Sequence, residues 1–303
     1  QGFSAIQITG DDRKGWLQGQ VTNNLRTFDA GAASAFCICQ PTGQILAACD
    51  AWALSDRVIL TTENACVGEV LRRVDTMVIV EDVVAEPLDE SHELVTIQGP
   101  MATQILGTLT ELPALNSGTA SIGGEEVAVL RSDRTGLGGW DVLLPGKGSK
   151  ARKALEEAFG ALDPVAFEIA RLEAGIPRWG ADMNARTLPP EMGPWFEARH
   201  VSYSKGCYTG QEVLMRMHSR GHANRQWVCL ESDEPLEAGL SVRHPARPDA
   251  GTVTSVVNSP DYGYLASAML RREVVAPNEG VSVETPSGRV EARIRPFPLQ
   301  PIA

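Results

Sequence analysis

The first ninety residues alternate between two hydrophobic periods. Ile6 and Ile8 fall on one face of a strand that stops at Gly10, and Asp11 is placed to cap a helix in which Leu17, Val21 and Leu25 recur every four residues beside Trp16. Phe36 to Asp50 reads as a hairpin turned by Pro41-Thr42-Gly43, with a further strand from Val58 to Thr62. Val67, Val70, Leu71 and Val74 stand at i, i+3, i+4 and i+7 and predict the next helix, which the β-branched run Val78-Ile79-Val80 follows. The order recurs after residue 93. A strand from Leu94 to Gln98 runs into Gly99-Pro100, with proline suited to open a helix toward Leu106. Strands follow at Val127–Arg131 and Asp141–Leu144, then a helix with Ala151, Ala154, Leu155, Ala158 and Phe159 on one face. Asp163-Pro164 begins another helix, and Gly175 is placed to stop it.

The pattern then changes. Pro177 to Pro194 is rich in Pro, Gly and Asn and reads as an ordered loop. From about Arg225 the helical period is gone, and Val228, Leu230, Val242, Val253, Val281, Val283, Val290 and Ile294 sit in short alternating runs between turn residues. That is the pattern of a small antiparallel β-barrel or sandwich. The irregular alternation upstream favours α+β over a doubly wound parallel sheet. The predicted organisation is two interleaved α/β lobes over residues 1–222, meeting near residue 90, and a C-terminal β-barrel over 223–303.

Composition narrows the function classes. A net charge of −11 argues against a general nucleic-acid or anionic-membrane binder, since phosphate neutralisation needs clustered Lys and Arg. The best local basic stretch is Arg216 to Arg225, with Arg220, His218 and His222 between. No apolar run is long enough for a membrane span, and Gln1 to Gly10 lacks the features of a signal peptide. The six cysteines contain no CxxC pair, so no metal or cluster site is expected from this chain alone; scattered thiols fit a reducing, cytoplasmic setting.

The most unusual stretch is Lys205-Gly206-Cys207-Tyr208-Thr209-Gly210-Gln211-Glu212. Two glycines allow a tight backbone around a thiol, and Lys205 two residues away is able to favour the thiolate. Cys207 therefore reads either as a reactive thiol or as a small buried residue in a structural turn. His218 and His222 are four apart, a zinc-ligand spacing on a shared helix face, with no third ligand evident; a solvated pair is the simpler reading. Cys37 and Cys39 read as core residues.

The segment Lys205 to Glu212 resembles the K-G-C-Y-x-G-Q-E signature of the YgfZ-type family, within the glycine-cleavage T-protein superfamily. Ile8-Thr9-Gly10-Asp11-Asp12 with Trp16-Leu17-Gln18 and Thr22-Asn23-Asn24 looks like the opening of that superfamily, and Gly251 to Ser255 looks like a strand of its C-terminal barrel. Leu130 to Val142 and Arg171-Leu172-Glu173-Ala174-Gly175 look like its folate-contacting middle. The resemblance covers essentially the whole chain and implies a ring of lobes around a central cavity that holds tetrahydrofolate. In Thr135-Gly136-Leu137-Gly138-Gly139-Trp140-Asp141, Asp141 stands where the T-protein carboxylate accepts from the two-donor edge of the pterin. Tyr208 and Trp195 are candidates to stack on the pterin or benzoyl ring, or else to pack between lobes. Glu173 is a candidate ligand contact or a structural acceptor.

Two departures from the T-protein pattern shape the functional expectation. The stretch matching its catalytic hairpin is Gly43-Gln44-Ile45-Leu46-Ala47-Ala48, so alanines replace both carboxylates. Asp50 lies two residues on, about 6–7 Å along a strand, too far for a catalytic group to keep its geometry. Phe167 stands where the T-protein has a folate-contacting arginine; Arg171, one turn on, or Lys205 or Arg199 would have to meet the glutamate tail. The resemblance thus implies a tetrahydrofolate-binding accessory protein that supports assembly or repair of iron–sulfur enzymes. Its link to tRNA thiomethylation would be indirect, with folate and iron–sulfur proteins as partners, no direct nucleic-acid contact and no membrane. A tetrahydrofolate-dependent aminomethyl- or methyltransferase and a scaffold with a vestigial cavity are the alternatives.

Overall fold

The computed structural model describes residues 2–299. They pack as two compact units: the chain up to Leu162 together with Arg199–Gln211, and Asp163–Ala198 together with the chain from Glu212 onward. The polypeptide passes between them at Leu162–Asp163, within the helix Pro194–His200 and at the start of the helix Gln211–Arg220. Packing thus places the helix and loop of residues 163–198 with the barrel, where a single cut near 222 places them with the N-terminal region.

The first unit holds two antiparallel sheets. Strands β1 (Phe3–Thr9), β2 (Ala33–Cys39), β3 (Ile45–Ala53), β4 (Val58–Glu63) and β5 (Val84–Pro87) lie in the order β2-β3-β4-β1-β5, with helices α1 (Arg13–Gln20) and α2 (Val67–Met77) between them in sequence. Strands β6 (Glu93–Gln98), β7 (Ser117–Ile122), β8 (Glu125–Arg131) and β9 (Gly139–Leu144) form the second, β6-β9-β8-β7, with α3 (Ala102–Leu109) and α4 (Lys150–Ala158). Ala5, Trp52 and Ile59 of the first sheet share a buried cluster with Ala128, Leu130 and Leu143 of the second. Trp52 adds a hydrogen bond from its indole N–H to the Arg131 carbonyl at 2.9 Å.

The second unit begins with α5 (Pro164–Glu173), whose N-cap Asp163 accepts from the Val165 N–H at 2.9 Å. Its stop is Gly175 at φ +69°, where a Cβ would lie 2.6 Å from the Phe297 side chain. Helices α6 (Pro194–His200) and α7 (Gln211–Arg220) follow the loop. Strands β10 (Arg225–Ser232), β11 (Ser241–His244), β12 (Arg247–Ser259), β13 (Gly263–Arg271), β14 (Gly280–Thr285) and β15 (Gly288–Arg295) close into a barrel in the order β10-β13-β12-β11-β14-β15. Closure leaves no open edge, and the alternating valines and alanines fill the interior.

Two local expectations are corrected. The first helix ends at Gln20 rather than running to Leu25, because Val21 bridges to Ile38 and Thr22 turns its hydroxyl to the His200 carbonyl at 2.6 Å. His222 lies beyond the end of α7, so it and His218 do not share a helix face. The β-branched run Val78-Ile79-Val80 lies outside any strand after α2, with Val78 half-buried and Ile79 and Val80 exposed.

Candidate functional site

Lys205 governs the conformation of its own segment. The end of α1 leaves carbonyls without helical partners. The Lys205 ammonium takes over three carbonyls there, donating to Gln18, Val21 and Asn23 at 2.7, 2.6 and 2.7 Å. It also lies 5.0 Å from the centroid of the Tyr208 ring. Burial, and then the nearby Arg26, pull its pKa down to about 8. The carbonyls oppose that pull by holding the ammonium form. Its charge is thus directed at the backbone of residues 18–23, an assignment that spacing from Cys207 did not suggest.

The motif's second glycine has a steric reason. Gly210 sits at φ +87°, and a Cβ there would lie 2.6 Å from the Gln40 carbonyl oxygen in the β2–β3 turn. Between the two anchors, Cys207 is exposed, whereas Cys37, Cys39, Cys49, Cys66 and Cys229 are buried. Burial pushes the Cys39 and Cys66 thiols up to about 12, so they stay protonated. Tyr208 is buried, its hydroxyl has no hydrogen-bond partner among the described residues, and burial raises its pKa.

The strand expected to carry catalytic carboxylates presents none at its start. Ala47 is buried, while Ala48 and Asp50 alternate onto the other, half-buried face of β3. Asp50 Oδ1 accepts from Arg199 Nη2 at 2.8 Å. Burial would raise its pKa, but Arg199, with Arg134 and His200 further off, more than offsets this and holds the carboxylate below its usual range.

The residues nominated for folate divide in the same way. Asp141 is fully buried on β9, and its carboxylate is paired with the Arg134 guanidinium. Arg134 also donates to Thr61 at 3.0 Å and stacks over the Phe3 ring at 3.9 Å. In the second unit Arg171 is buried and donates to Glu168 at 2.7 Å, Asp182 at 2.7 Å and Ser255 at 2.9 Å. Asp182 in turn accepts from Thr254, Ser255 and Ser267 of the barrel at 2.8, 2.8 and 2.7 Å. Glu173 accepts from the Ser259 hydroxyl at 2.6 Å. Trp195 is half-buried on α6 in the second unit, and Tyr208 belongs to the first.

Tetrahydrofolate, the ligand the family implies, is therefore not met by free groups on Asp141, Arg171 or Glu173: each is buried and satisfied by protein. Within the nominated set the orphaned Tyr208 hydroxyl is the group with hydrogen-bonding capacity to spare. Sequence reasoning missed Asp182, which sits in a loop without periodicity, and the partnership of Arg134 with Asp141. No cluster of three His, Cys, Asp or Glu side chains suited to a metal ion occurs among the described residues, and no helix there is long and apolar enough to cross a membrane.

The described residues thus combine two antiparallel sheets flanked by helices with a closed six-stranded antiparallel barrel. The chain belongs to the glycine-cleavage T-protein superfamily: the model of the GCVT N-terminal domain matches residues 1–197. Among relatives, it is 22% identical over 290 residues to a chloroplastic protein of Arabidopsis thaliana named as a candidate transferase, covering 93% of this chain and 66% of that one. It is 26% identical over 275 residues to the aminomethyltransferase of Exiguobacterium sibiricum, covering 87% and 71%. The crystal structure of the glycine cleavage system aminomethyltransferase T from Bartonella henselae superposes with a TM-score of 0.84 at 18% identity, over 99% of this chain and 84% of that one.

Proposed function

We propose that this chain is a YgfZ-type member of the superfamily: a cytoplasmic, tetrahydrofolate-binding accessory protein that works through the Cys207 thiol in support of iron–sulfur enzymes, affecting tRNA thiomethylation only through such clients. The observation that carries the reading is the exposure of Cys207 on a segment held at Lys205 and Gly210, while the five other thiols are buried. A lone thiol supplies one ligand, so a cluster would need further ligands from a partner. Because Asp141 and Arg171 are satisfied internally, neither is assigned a folate contact in this conformation.

The test has two arms. Calorimetry with tetrahydrofolate should give saturable binding to both the wild type and Cys207→Ser; no heat at millimolar ligand refutes the folate part. In a deletion strain the serine variant should fail to restore iron–sulfur enzyme activity, and full rescue refutes the thiol part. The transferase reading draws on the names of the bacterial relatives. Ala47, Ala48 and the paired state of Asp50 stand against it. Tetrahydrofolate-dependent glycine cleavage by the purified chain would restore it.

A further inference from the structure

The turn between α2 and β5 carries the most exposed large apolar side chains of the described residues: Ile79 is 85% and Val80 89% exposed, with Met77 and Val84 about half so. Two adjacent β-branched residues in water lack any local role. They do not pair into the sheet, and they cover no core.

The turn that presents them is nonetheless tightly held. Glu81 Oε2 accepts from the Ile79 and Val80 N–H groups at 3.0 and 3.1 Å. Asp82 and the start of α1 are joined reciprocally, Asp82 N–H to Asp12 Oδ2 at 2.8 Å and Asp11 N–H to Asp82 Oδ2 at 2.9 Å. Gly10, at φ +98°, admits the Asp82 carbonyl where a Cβ would clash. A preformed turn loses little conformational entropy on docking.

Its surroundings are acidic. Residues 75–86 contain Asp75, Glu81, Asp82 and Glu86 and no Lys or Arg, and Asp11 and Asp12 adjoin them. Of the nearby cations, Arg72 pairs with Glu69 at 2.6 Å, and Arg13, which donates to the Gly10 and Ser55 carbonyls, is outnumbered by the six carboxylates.

We infer that Ile79 and Val80 form a docking knob for a partner protein whose apolar pocket is rimmed by Lys or Arg. Charge selects this occupant. A second copy would bring two acidic collars together on chains of net charge −11, and an anionic membrane surface would repel the same collar.

The test uses the full chain with a photo-crosslinking amino acid at position 80, and at exposed Leu162 as control. A protein crosslinked from position 80 and not from 162 is identified, purified, and its affinity measured against the wild type, Ile79→Ser and Val80→Ser. Expected are a crosslinked peptide with apolar side chains beside Lys or Arg, about tenfold or greater weakening per serine variant, and weaker binding at 500 mM than at 50 mM salt. Both variants should keep the wild-type Tm, since neither side chain is buried. No position-specific crosslink, a crosslink to a second copy, equal affinity for wild type and variants, or binding to phosphatidylcholine vesicles would each overturn the inference.

Discussion

Arg199 on α6 donates to Asp50 on β3 at 2.8 Å, joining residues 149 positions apart within one compact unit. The carboxylate nearest to the expected catalytic hairpin is thereby held as a paired anion. Replacing Asp50 by Asn should cost about 1–3 kcal/mol, because the half-buried guanidinium loses its counter-charge. The folded-state pKa of Asp50 lies below its unfolded value, so the pair's contribution is present above about pH 4 and is lost as pH falls through the folded value. Urea denaturation of wild type and Asp50→Asn from pH 2.5 to 7 should show the difference shrinking at the acid end.

Lys205→Met should leave three carbonyls at the end of α1 without their donor, at a cost of about 3 kcal/mol or more. Thermal melts measure this. A variant as stable as the wild type would show that the ammonium does not anchor the segment, and would return Lys205 to a role beside the thiol.

The Arg171–Asp182 pair is buried and bonded to barrel side chains, so breaking it leaves an uncompensated charge. Arg171→Leu should destabilise by about 3–5 kcal/mol. Folate affinity of the folded fraction should stay unchanged. Lost affinity with an unchanged Tm would make Arg171 a ligand contact after all.

Thiol titration gives a direct count. Native protein should react rapidly at one cysteine, Cys207, and at the five buried ones only after unfolding. Cys207→Ser should show no rapid phase.

Gly210→Ala combines a positive φ with a Cβ placed 2.6 Å from a backbone oxygen, so it should destabilise by more than about 1 kcal/mol. The exposure of Cys207 should rise or fall with it in the same titration. Gly206, whose Cβ would meet only an arginine side chain at 3.9 Å, should tolerate alanine in both assays.

Much of this protein is set by short-range chemistry and so was legible along the chain. The β2–β3 hairpin follows from Pro41-Thr42-Gly43, the start of α5 from Asp163-Pro164, its stop from Gly175, and the barrel from period-two valines. Alternation and turn residues act over a few positions, and the signature around Cys207 is itself contiguous. What the tertiary structure decided is which charge meets which. Lys205 reaches carbonyls up to 187 residues away, Arg171 binds Ser255 84 residues on, and Arg134 takes the carboxylate that a pterin was expected to find. It also decided that Ile79 and Val80, both β-branched and apolar, stay in water. An ionised side chain looks the same in sequence whether a ligand or a neighbour neutralises it. Only packing, by removing water and bringing distant groups within 3 Å, selects the partner.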